Sequence, residues 1–114
     1  EIAKDSSAHD EWTLDNNVGG MISRGVLAGI TGQGADLMII DDPIKNREEA
    51  DSQNHREKIW DEWIDSFSSR LHPGAIVILI LTRWHEDDLQ GRLLNAEYGQ
   101  PLNWNVYNFT LAVE

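Results

Sequence analysis

The 114-residue chain contains no cysteine, so neither a disulfide framework nor a thiolate metal site can be built from it. That absence suits a reducing compartment. Lysine is confined to Lys4, Lys45 and Lys58, and no Gly-x-x-x-x-Gly-Lys-Ser/Thr stretch occurs. The loop that usually cradles phosphates is therefore not encoded here, and the chain alone should bind a nucleoside triphosphate poorly. No apolar run approaches the roughly 20 residues that cross a bilayer, so no membrane partner is expected. Positive charge is scarce as well: 9 Lys and Arg stand against 20 Asp and Glu, for a net charge of −11. Coating a polyphosphate needs a basic face, which excludes a general DNA-covering role. A motor domain that leaves most DNA contact to other regions stays compatible with this charge.

The length supports one domain with a real core, and five tryptophans are generous for it. The chain opens on Glu1 rather than methionine and stops at "LAVE" inside an apolar pattern. It reads as a piece of something longer.

Short strands are expected at Glu11–Leu14 and Met21–Leu27 around a turn at Asn16–Gly20, forming a β-hairpin. "GITGQG" follows as a glycine-rich loop, either a plain turn or a phosphate contact. Leu37–Ile40 is a short continuous apolar run, the mark of a strand buried on both faces. Asp41 and Asp42 end it, and Pro43 biases Asp42 toward extended geometry. A long helix is predicted over Arg47–Leu71, capped by Asn46 with Glu49, and stopped by "HPG" at His72–Gly74. Ile59, Trp60, Trp63, Ile64, Phe67 and Leu71 form its apolar stripe, with Arg56, Glu57, Asp61 and Asp65 opposite. Ala75–Leu81 is the second buried strand, a second helix covers about Asp87–Tyr98 with Leu89, Leu93 and Ala96 on one face, and Asn103–Val113 alternates loosely as a further strand.

Two buried strands joined by a helix make a β–α–β unit, so the strands run parallel and share their carboxyl ends. Asp41 and Asp42 should then face Thr82 and Arg83 across a crevice at the rim where open α/β sheets bind ligands. Adjacent carboxylates repel by roughly 1 kcal/mol in water and about 4 when partly buried, which a bound Mg²⁺ relieves. One acid can hold the metal while the other orients or deprotonates water. An apolar strand followed by an acidic pair is the Walker B pattern of P-loop nucleotide hydrolases. Thr82 can sense a γ-phosphate and Arg83 can neutralise phosphate charge. The plainer alternative has Thr82 capping the strand end, Arg83 paired with an aspartate, and Trp84 in the core. Asp87 or Asp88 reads as the N-cap of the second helix, and His85 as a loop residue.

"TGQGADLMIIDDPIKNREEADS" followed by "IWDEWIDSFSSRL" and "AIVILILTRWHEDDLQGRLL" resembles the large subunit of tailed-phage or prophage DNA-packaging terminases, from about Trp12 to "WNVYNFTLA". The resemblance implies an α/β, partial P-loop NTPase (ASCE-type) parallel sheet with flanking helices and an N-terminal β-hairpin. Residues 1–114 would be the C-terminal part of an ATPase domain, lacking the Walker A region and any nuclease domain. It implies Mg²⁺ and ATP in the parent protein, and double-stranded DNA, a small terminase subunit and the portal or procapsid as partners. A homo-oligomer in the host cytoplasm is also implied. Carried over by position, Asp41 is the metal carboxylate and Asp42 the catalytic one. Thr82 and Arg83 form the segment coupling hydrolysis to DNA movement. Two other readings compete: a non-catalytic prophage remnant or scaffold, and a metal-dependent nuclease using Asp41, Asp42 and the acids after His85.

Overall fold

A computed structural model describes residues 2–7, 11–14, 19–27, 34–99 and 103–110. The chain divides into two compact units, Glu1–Met38 with Asp61–Ile76, and Ile39–Trp60 with Val77–Glu114.

The first unit carries an antiparallel three-stranded sheet in the order β1 (Ile2–Ser7), β2 (Glu11–Leu14), β3 (Gly20–Ile22). Glu11 opposes Ile22, Trp12 opposes Met21, and Thr13 opposes Gly20. A Cβ at Gly20 would run into the Trp12 carbonyl oxygen, so close strand approach demands glycine there. The Leu14 N–H donates to the Gly19 carbonyl at 2.7 Å. Arg24 pairs with Glu11 at 2.9 Å beside this sheet. The expected hairpin thus has a third strand, β1, and its β3 stops at Ile22 rather than Leu27. The glycine-rich loop up to Gln33 and most of the turn before Gly19 lie outside the described residues.

The expected single helix is four pieces. Its first part, α1 (Arg47–Asp51), ends at Ser52, which is extended, and α2 (Gln53–Glu62) follows at once. The Ser52 hydroxyl accepts from the His55 N–H at 3.2 Å and starts α2 afresh. In the first unit the chain then widens into a π-helical turn, Trp63–Phe67, and tightens into a 3₁₀ turn, Ser68–Arg70. The Ser68 hydroxyl donates back to the Ile64 carbonyl at 3.0 Å and Ser69 to that of Asp65 at 3.1 Å, competition that distorts helical ladders. Trp63 and Phe67 are buried here, as their spacing predicts, whereas Ile64 is exposed.

Strands β4 (Ala35–Asp41) and β5 (Leu71–Ile80) pair as a parallel two-stranded sheet. β5 starts at Leu71, so "HPG" lies inside it instead of before it. Proline is tolerated because a two-stranded sheet has only edges, and Gly74 takes the positive φ of 79° that a side chain would resist. At the start of these strands, within the first unit, His72 Nδ1 and Asp36 Oδ1 lie 2.8 Å apart.

Neither strand is covered on both faces. In the second unit Ile40 is 6% exposed, while its neighbour Ile39 is 55% and Ile80 52% exposed. In the first unit Leu37 and Ile76 are likewise exposed. Burial follows the period-2 alternation of a half-covered strand rather than that of a fully enclosed one.

The core of the second unit is Ile40, Ile44, Ala50, Ile59, Leu89 and Leu93. The last helix, α3 (Leu89–Leu94), is shorter than expected and gives way to a 3₁₀ turn at Ala96–Tyr98, where Ala96 is exposed. Residues 103–110 form no strand; Tyr107 is exposed, and Phe109 stands almost fully in solvent. No helix among the described residues is long and apolar enough to cross a membrane.

Candidate functional site

The site is built from the second unit, where β4 and β5 end together. The Asp42 N–H donates to the Ile80 carbonyl at 2.8 Å, extending the pairing of the two strands to their last residues. Asp41 and Asp42 therefore leave the sheet beside the Leu81–Thr82–Arg83 exit. Asp41, Asp42 and Thr82 are exposed. Among the described residues neither acidic side chain, nor the Thr82 hydroxyl, has a hydrogen-bond or ionic partner.

Asp42 is not extended. Its φ is 45°, the only positive value at a non-glycine among the described residues, and it precedes proline. The left-handed region costs a side chain roughly 1–2 kcal/mol, and a following proline ring adds its own restriction. The bias from Pro43 is thus overridden: the chain must turn sharply to bury Pro43 and Ile44 while Asp42 keeps its N–H on Ile80. Such outliers collect at functional sites.

Pro43, Ile44, Leu81, Thr82, Trp84, Asp88 and Leu89 line a crevice too tight to admit a water molecule. Trp84 is half-buried; its N–H donates to the Thr82 carbonyl at 3.0 Å, and the Arg47 guanidinium lies 5.6 Å from its ring centroid. Arg47 stands at the start of α1, behind the cap in which Asn46 Oδ1 accepts from the Glu49 N–H at 2.9 Å. The Glu49 carboxylate takes the Lys45 N–H at 2.9 Å, one residue before the cap.

Arg83 pairs with an aspartate. Its Nε donates to Asp88 Oδ2 at 2.6 Å, and Asp88 is almost wholly buried. The other Asp88 oxygen accepts from the Gly91 N–H at 2.9 Å and caps α3. Of the two expected caps it is Asp88 that serves. His85 accepts the Asp87 N–H on Nδ1 at 2.9 Å and so shapes the loop.

Asp87 has a different task, which its spacing does not disclose. Arg92 reaches it with Nε at 3.1 Å and Nη2 at 2.9 Å, and Arg56 Nε adds a contact at 3.3 Å. The Arg92 hydrogen bonds outweigh burial and, with Arg56, hold the Asp87 carboxyl below the ordinary carboxylate range. Burial works against charge on Arg92, but its bonds to Asp87 prevail and raise its pKa. Arg92 lies 4.8 Å from the Tyr98 ring centroid, and Tyr98 packs edge-on against Trp60 at 5.4 Å. Arg56, expected on the solvent face, is instead half-buried, with Nη1 on the Ala50 carbonyl at 2.7 Å. That bond satisfies an α1 carbonyl left free by the break at Ser52. Its partner Asp87 is 31 positions away, too far for helical spacing to reveal.

No group of three or more His, Asp or Glu side chains suited to a metal ion occurs among the described residues. The model of one protein family, the N-terminal part of T4likevirus-type terminase large subunits, matches residues 3–114. No curated protein and no solved structure matches.

Proposed function

We propose a role that starts from the family: this chain belongs to the T4likevirus-type terminase large subunits, whose N-terminal part it matches. These are DNA-packaging proteins. In our reading the chain supplies the Walker B strand end and the coupling segment of an ASCE-type P-loop ATPase that drives double-stranded DNA into procapsids. The phosphate cradle would come from another part of the full-length subunit, and the small subunit and portal would be its partners in a homo-oligomeric assembly. The observation that carries this reading is the Asp42 N–H bond to the Ile80 carbonyl, because it brings the acidic pair and the Thr82–Arg83 step to the same end of two parallel strands.

Asp41 and Asp42 fit Mg²⁺ in kind and number. They offer uncommitted hard oxygens, and Mg²⁺ is ordinarily held by one or two carboxylates with substrate phosphates completing its shell. Asp41 would hold the ion, which when bound neutralises phosphate charge. Asp42 would orient the attacking water and accept its proton. The Thr82 hydroxyl would meet the γ-phosphate, and Arg83 would offset its charge. The nuclease reading loses support, because Asp87 and Asp88 spend their oxygens on arginines and on a helix cap.

The test uses the full-length subunit. Asp42→Asn should lower ATP turnover by roughly 10²- to 10⁴-fold, the usual worth of a general base, while nucleotide binding survives. Normal turnover in that variant refutes the role. Asp41→Asn should raise the Mg²⁺ concentration needed for half-maximal turnover.

A further inference from the structure

We propose that Asp88 is a positioning residue for Arg83, and that the loop closes a ring of contacts to make it one. This rests on the reading above, in which Arg83 meets a phosphate. Asp88 approaches Arg83 from the side, through Nε alone. Arginine–carboxylate pairs are frequently bidentate, as that of Arg92 with Asp87 is, whereas Asp88 gives Arg83 one oxygen only. Here Nη2 makes only a 3.4 Å contact with the Glu86 carbonyl, and Nη1 has no hydrogen bond among the described residues. Nη1 and the second N–H of Nη2 stay available to a phosphate at a side chain that is 41% exposed.

The carboxylate doing the holding cannot turn. Its second oxygen is fixed by the Gly91 N–H, and only 3% of the residue is exposed. Gly91 is constrained in its turn, since a Cβ there would collide with the Glu86 carbonyl oxygen, the same atom that Arg83 Nη2 approaches. Arg83, Asp88, Gly91 and Glu86 thus form a closed circuit. Glycine inside a helix is destabilising relative to alanine, and the circuit explains its presence in "LQGRLL". Holding the guanidinium in place before substrate arrives removes the entropy that a free arginine would lose on binding.

Asp88→Asn separates the two tasks of this residue. Asparagine caps helices about as well as aspartate, but its amide cannot accept from Gly91 and Arg83 with both arms, so α3 is kept and Arg83 is released. In the full-length subunit Asp88→Asn should lower kcat for ATP by about 10- to 100-fold, the scale of a misplaced group, with little change in KM. In an Arg83→Ala background the same change should have no further effect on kcat. Equal, additive losses in the two backgrounds, or unchanged turnover in Asp88→Asn, would overturn the proposal. A second readout does not depend on turnover: the Arg83 Nε–Hε NMR signal, assigned with Arg83→Lys, should be downfield and slow to exchange, and should lose both properties in Asp88→Asn. A signal indifferent to that substitution overturns the positioning role by itself. Wild-type subunit with a protected signal but no ATP hydrolysis sinks the ATPase reading instead.

Discussion

Two Asp-Asp pairs lie in the second unit, and they are opposites. Asp87 and Asp88 face three arginines and a helix N-terminus, and each of their carboxylates has both oxygens bonded. Asp41 and Asp42 are exposed and have no side-chain partner among the described residues. The first pair explains itself: it joins α2, α3 and the loop after β5. The second pair does nothing for the fold that its surroundings disclose, and one of its members sits in a strained backbone conformation. Acids that are costly and idle in the resting protein are the ones to assign to a ligand.

If that contrast is right, the largest stability effect belongs to the engaged pair. Arg92→Ala strips Asp87 of two hydrogen bonds and Tyr98 of a stacked guanidinium. Breaking a buried pair costs roughly 3–5 kcal/mol, and since the Asp87 side chain is 31% exposed the loss should fall near the bottom of that range, about 3 kcal/mol by urea denaturation. Asp41→Asn and Asp42→Asn should each stay within about 0.5 kcal/mol of wild type, as surface changes do. Equal losses in both pairs would erase the distinction.

Acid offers a gentler version of the same experiment. The folded pKa of Asp87 lies below its unfolded value, so the folded state binds fewer protons between the two. Its contribution is complete above the unfolded carboxylate value of about 3.9 and is lost as pH falls through the folded one. Denaturation midpoints measured down through that window should fall more steeply for wild type than for Asp87→Asn. Parallel curves would mean that the arginines contribute nothing through this charge.

What the amino-acid order discloses divides along similar lines. The parallel strands, the Asn46 cap and the helix start near Asp88 are legible because local chemistry determines them: an apolar run, or a short polar side chain ahead of a helix. The break at Ser52 is not, since it is stabilised by Arg56 reaching back to Ala50 and across to Asp87. β1 escapes notice because "IAKDSS" has little strand preference and becomes a strand through its pairing with β2. β5 begins before Pro73 against the usual sense of "HPG", and an open sheet edge permits it. For the site, the common end of β4 and β5, where the Asp42 N–H donates to the Ile80 carbonyl, follows from parallel topology. The Asp87 network does not, because its partners come from separate helices. The left-handed turn at Asp42 is hidden for a plainer reason: Pro43 argues against it, and only the burial of Pro43 and Ile44 reverses the balance.

That turn supplies the smallest effect and the one most specific to the idle pair. Glycine at position 42 removes the left-handed penalty of roughly 1–2 kcal/mol, while its greater freedom in the unfolded chain returns about 0.4–1 kcal/mol. Asp42→Gly should therefore make the folded protein more stable by roughly 0.5–1 kcal/mol, read as a higher urea midpoint, even as it removes the carboxylate. The same substitution at Asp88 should do the reverse, since there φ is −81° and the side chain is a cap. A protein that grows more stable when one acid is deleted, and less stable when its counterpart is, carries the first acid for a purpose other than folding. If Asp42→Gly proves destabilising, then the carboxylate supports the turn itself, and its strain no longer points to a reaction.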